Sequence, residues 1–139
     1  MKPKSENCRT LSCDLCVVGG GLAGTFAAIS AARHGASVVL LQDRPMLGGN
    51  ASSEIRMWVR GATGPFDRES GLISEYEEAI IHGNPDLSPC VSDAILYDMA
   101  TREKNLTLLL NTTCVDAECD GKRIRSVTAW QLTTYTWIT

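Results

Sequence analysis

Three glycines, Gly19, Gly21 and Gly24, stand in the spacing G-x-G-x-x-G. In that spacing the backbone itself binds a pyrophosphate. The first glycine permits a tight turn, the second lets phosphate come close to the chain, and the third lets a helix pack closely on a strand. The N–H groups of the first helical turn, at Leu22, Ala23 and Gly24, find no acceptor within their own helix, and the positive end of the helix dipole faces the phosphates. The same six residues would form an ordinary glycine-rich turn without a strand before them and a helix after them. A dinucleotide site also needs an acceptor for the ribose hydroxyls about 20 residues on. Asp43 stands 19 residues past Gly24, but the strand ends one residue earlier, at Gln42. The Gln42 carbonyl can accept a hydrogen bond without carrying charge. A neutral Gln42 followed by Arg44 would also suit a 2′-phosphate, which Asp43 would oppose. The nucleotide therefore stays open between FAD and NAD(P) on these residues alone.

The elements around the glycines meet the requirement. Residues 13–18, apolar but for Asp14 and followed by glycines, read as a buried strand. Residues 22–34 are small and apolar, an Ala-rich helix stopped by Gly35. Residues 36–41 are apolar with two valines, a second buried strand. Strand, helix and strand make a right-handed βαβ unit with parallel strands. Residues 44–68 form a long loop of the functional kind. Residues 69–81 carry an amphipathic helix, stopped by His82-Gly-Asn-Pro85, and Ser92 is expected to cap another with Ile95, Leu96, Met99 and Ala100 on one face. A third strand over 106–110 should lie beside the second, giving the order third, second, first. Residues 115–119 alternate and 124–131 return after the Asp120-Gly121 turn, with a further strand over 133–138; this hairpin should form an antiparallel layer. Residues 1–10 read as a loose tail.

Composition narrows the function classes. The chain has 139 residues, 44% of them hydrophobic, enough for one core. Net charge is −3, so no basic excess points to nucleic acid or an anionic membrane. No apolar stretch approaches the ~20 residues of a membrane helix, and no secretory signal opens the chain. The expectation is a cytoplasmic protein with free thiols acting on a small molecule. Cys13-Asp-Leu-Cys16 resembles a redox or metal motif, but residues three apart in a strand point to opposite faces, so the pair is read as structural. His34 and His82 each sit at a helix end and supply no metal site. No catalytic acid or base stands out.

The residues after the second strand, Arg44 with Gly48, Gly49 and Ser52, resemble the R-x-x-x-G-G-x-x-S/T segment of glutathione-reductase-like flavoproteins. The wider stretch, GGGLAG through DRPMLGGNASSEIRMWVRGA, is similar to the FAD-dependent oxidoreductase family, and the likeness continues to the end of the chain. It implies a three-layer Rossmann-like α/β domain that binds FAD and transfers hydride or electrons. It further implies cofactor contacts at Gly48, Gly49, Asn50, Ser52 and Val115, besides Gly19, Gly21, Leu22, Ala23, Gly24, Gln42, Asp43 and Arg44. Arg56, in the loop with Glu54 and Arg60, would then either face a flavin anion or anionic substrate, or serve a solvated salt bridge. The family's third flavin motif and substrate domain would lie beyond Thr139. By this resemblance residues 11–139 are a truncated flavin domain, not expected to hold FAD tightly or turn over alone. The first strand should then carry a neighbour on one side only.

Overall fold

In a computed structural model the described residues are 7–62, 64–66 and 70–139. Residues 1–6 of the expected tail, and residues 63 and 67–69 at the end of the expected loop and the start of the next helix, lie outside them. The chain runs β1 (Cys8–Arg9), β2 (Leu15–Val18), α1 (Leu22–Arg33), β3 (Val38–Leu41), a short turn of 3-10 helix (Gly49–Ala51), α2 (Leu72–Gly83), α3 (Pro89–Thr101), β4 (Leu106–Leu109), β5 (Thr112–Asp120), β6 (Arg123–Gln131) and β7 (Thr136–Ile138).

β2, β3 and β4 form a parallel sheet in the order β2-β3-β4, and β1, β7, β6 and β5 form a second sheet. The central strand β3 shows why the layers stack. All four of its residues are buried. Val38 and Leu40 face the helices, beside Ala28, Ile29 and Ala32 of α1 and Leu96, Met99 and Ala100 of α3. Val39 and Leu41 face the second sheet, beside Ala129 and Ile138. Side chains alternate across a strand, so a strand buried on both faces must be apolar throughout, and this one is. The helices form the third layer, and the α/β class and strand order match the sequence expectation.

Several expectations change in detail. Within the expected loose tail, Cys8 and Arg9 pair in parallel with Trp137 and Ile138. Backbone pairing to the open edge of β7 needs no apolar side chains, so composition could not reveal it. Ser92 does not cap α3. The cap is Ser88, followed by Pro89 in the first turn, where a missing N–H costs nothing. Ser92 lies one turn in and accepts from Asn84 Nδ2 at 3.0 Å. Cys13 and Cys16 do not point apart. Cys13 precedes β2, so strand alternation does not apply, and both thiols pack with Cys114 against the second core. Burial raises the Cys16 thiol pKa, and the neighbouring Cys13 and Cys114 raise it further. β2 has β3 as its single strand partner among the described residues, which leaves Val18 55% exposed. No described helix is long and apolar enough to cross a membrane.

Candidate functional site

The glycine loop leaves β2 and enters α1 at the carboxyl ends of the parallel strands. Gly19 donates to the Leu41 carbonyl at 2.8 Å, which binds the turn to the end of β3. Its φ is +111°, a conformation that side chains resist. Gly24 is fixed by packing instead: a Cβ there would lie 2.0 Å from the Gly19 carbonyl oxygen. Gly21 is different from both. It caps α1 with φ −63° and ψ 172°, which any residue adopts, and a Cβ there would meet no atom within 4 Å. Nothing in the fold requires glycine at 21. The space beside it opens in front of the first turn of α1, where Leu22, Ala23 and Gly24 present the N–H groups a helix cannot pair internally.

The second glycine pair comes to the same place. Gly48 donates to the Gly20 carbonyl at 2.8 Å and bridges Gly21 in parallel fashion. A Cβ on Gly49 would stand 3.1 Å from Gly21 Cα. Gly48 holds φ +106°, and the turn closes as Ser52 Oγ donates to the Gly49 carbonyl at 2.7 Å. Ser52 is therefore buried and turned inward, locking the turn. Asn50 is exposed beside it.

The end of β3, where the expectation put a ribose, is arranged differently. Gln42 is 4% exposed. Its Oε1 accepts the Gly20 N–H at 2.8 Å, and its Nε2 donates to the Met46 carbonyl at 3.0 Å. The side chain expected to meet a ribose is thus already paired within the chain. Asp43 is exposed next to it, and Arg44 pairs with Glu54 at 2.9 Å. Val115 sits at a break in the β5–β6 register between Cys114 and Asp116 and is 53% exposed. Three residues before it, the Thr112 N–H bonds the Gln42 carbonyl at 2.8 Å.

Residues that sequence reasoning missed complete the framework. Thr25 is fully buried and donates through Oγ1 to the Gly20 carbonyl at 3.1 Å. A threonine directly after the last glycine of the motif, in an Ala-rich helix, was the available signal. At Gly20 a Cβ would stand 2.6 Å from Leu47 Cδ2 and 2.9 Å from Gln42 Cβ, so three loops close on one point. Past Gly49, a cavity of about 410 Å³ lies between Ala51, Arg56, Met57 and Trp58 on one wall and Tyr76 and Ile80 of α2 on the other. Arg56 is exposed, holds φ +61° and donates through Nε to the Ser53 carbonyl at 3.0 Å. Burial raises the Tyr76 phenol pKa, as does the charge of Asp93, while a hydrogen bond with Ser92 opposes both.

The family described as FAD dependent oxidoreductase matches residues 14–137. An FAD-dependent oxidoreductase, dbaF of Emericella nidulans, is 58% identical over 38 residues, 27% of this chain and 8% of that protein. Among solved structures, L-proline dehydrogenase from P. horikoshii superposes with a TM-score of 0.55 at 19% identity, over 96% of this chain and 22% of that one. The quinol fumarate reductase subunit FrdA of E. coli gives 0.62 at 16% identity, over 94% and 31%. Glycerol-3-phosphate dehydrogenase from Bacillus halodurans, complexed with FAD, gives 0.57 at 15% identity, over 91% and 32%. These structures share the fold. The chain spans under a third of each of these four proteins.

Proposed function

We propose, for a chain that belongs to the FAD dependent oxidoreductase family and takes FAD as its cofactor, that residues 19–24 and 48–50 hold the FAD pyrophosphate in a flavin-dependent oxidoreductase acting on a small molecule. The observation that carries this reading is Gly21, a glycine that neither backbone conformation nor packing demands. A bound phosphate at that position supplies the missing reason, because its oxygens would occupy the volume of a side chain. Helix N–H groups at Leu22, Ala23 and Gly24 would neutralise the charge. Gly48 and Gly49, held against Gly20 and Gly21, bring a second stretch of bare backbone to the same phosphates. Asp43, exposed at the end of β3, would accept from the ribose hydroxyls, and Val115 would lie along the nucleotide.

FAD supplies the hydride or electron chemistry, and the protein supplies binding and orientation. The run from Gly49 through Ala51 to Trp58 leads from the pyrophosphate toward the cavity against α2. We place the substrate side there, with Arg56 as the charged group at its wall. The test is titration of the purified protein with FAD, ADP, NADH and NADPH, followed by calorimetry. FAD and ADP should compete for one site, and the nicotinamide nucleotides should not displace FAD. Displacement by NADPH at comparable concentration would contradict the assignment.

A further inference from the structure

We infer that Gln42 is a positioning residue, a tie between the two glycine loops rather than a ribose ligand. The inference deepens the cofactor reading above and rests on it for its effect on FAD. Gln42 stands where the fingerprint places an acid, at the end of the strand after the glycine helix. Here the amide is used on both sides. Oε1 accepts from Gly20 in the first loop, and Nε2 donates to Met46 in the second. Its backbone is fixed as well: its N–H donates to Leu109 at 2.9 Å and its carbonyl accepts from Thr112 at 2.8 Å. Gly20 in turn accepts from Gly48 and from Thr25, so one small knot joins β3, α1 and both loops.

The chemistry of the knot selects an amide. One contact needs an acceptor and the other needs a donor, and glutamine offers one of each. An ionised glutamate offers only acceptors. It would keep the Gly20 bond but face the Met46 carbonyl with a second oxygen. A protonated glutamate restores the pattern, with its carbonyl accepting and its hydroxyl donating. Gly20, Met46, Leu47, Leu109 and Thr112, which surround the group, carry no charge. The nearest ionisable neighbours along the chain are Asp43 and the Arg44–Glu54 pair, and the unaltered protein, which carries them too, serves as the control.

The experiment compares the unaltered protein with Gln42→Glu and Gln42→Met, by FAD titration and by urea unfolding without ligand, from about pH 8 down to about pH 4.5, around the usual glutamate range. Gln42→Glu should bind FAD on the order of tenfold more weakly at the upper pH, the loss expected when one part-buried hydrogen bond is replaced by two facing oxygens. Its proton is favoured in the fold, so affinity and unfolding midpoint should recover as pH falls through the raised carboxyl value. Gln42→Met, with neither donor nor acceptor, should lose both at every pH. FAD affinity of Gln42→Glu equal to or above the original at the upper pH, with an unchanged midpoint, would overturn the inference, since the side chain would then reach the ribose. The acid-rescued midpoint in a protein that takes no FAD at all would uphold the tie and contradict the cofactor site.

Discussion

Replacing Gly21 with alanine separates what the fold requires from what the ligand requires. The new Cβ enters open space, on a backbone with φ −63°. Two small terms remain in the ligand-free protein. Losing glycine's freedom in the unfolded chain stabilises the variant by about 0.4–1 kcal/mol. Alanine is a poorer helix cap than glycine, which costs about 0.5 kcal/mol. These nearly cancel, so the unfolding free energy should stay within about 0.5 kcal/mol of the original. The bound state is another matter. A methyl group between Gly21 and the pyrophosphate moves the phosphates away from the first-turn N–H groups. Losing two charge-assisted hydrogen bonds at about 1.5–3 kcal/mol each weakens FAD by a hundredfold or more. Urea denaturation and flavin fluorescence titration on the same preparations read the two quantities. FAD affinity within about threefold of the original, well under the cost of even one charged hydrogen bond, would refute the placement of the pyrophosphate. A large fall in ligand-free stability would refute the claim that the fold is indifferent to residue 21.

Other expectations follow from the same geometry. Gly24→Ala puts its Cβ 2.0 Å from the Gly19 carbonyl oxygen, so it should lower stability by about 3 kcal/mol or more and lose FAD with it, read by thermal unfolding. Asn84 is buried and binds the Ser88 N–H, the Ser88 carbonyl and Ser92 Oγ, so Asn84→Ala should cost about 2–3 kcal/mol in urea unfolding. Hydrogen bonds from Arg33 hold the Glu75 carboxyl below its ordinary value of 4.5. That stabilisation is complete above the ordinary value and is lost as pH falls through the lower folded value, at a size of about 1 kcal/mol or less for so exposed a pair. Glu75→Gln should therefore flatten the acid side of the stability profile. Burial raises the Cys16 thiol pKa, so iodoacetamide at mild pH should alkylate exposed Cys8, Cys90 and Cys119 well before Cys16, by mass spectrometry.

The layered fold was legible because its signals are local. Gly19, Gly21 and Gly24 between an apolar run and an Ala-rich helix marked the strand–turn–helix start of the βαβ unit, and β3 is apolar on both faces because both faces are covered. The antiparallel layer followed from alternation around Asp120-Gly121, although the two turn residues are Gly121 and Lys122, one step later. What stayed hidden depends on pairing between distant residues. The Cys8–Arg9 strand is made by the backbone of β7. The Gln42 tie needs Gly20 and Met46 at fixed distances, and a strand-end glutamine reads the same whether it faces a ribose or a carbonyl. The shift of the α3 cap from Ser92 to Ser88 was within reach, since Pro89 prefers the first helical turn. The inward turn of Ser52 was not, because a serine after two glycines reads equally as ligand or lock.

The central claim is that the FAD pyrophosphate lies on the two glycine loops. Nitrogen-15 amide spectra recorded while FAD is added test it directly, and they respond to weak binding as well as to tight binding. Amide signals of Gly21, Leu22, Ala23, Gly24, Gly49 and Asn50 should move most, with those of Lys122 and Arg123 at the far hairpin turn unmoved. Shifts confined to the cavity beside Trp58 and Tyr76, with the glycine loops silent, would contradict it.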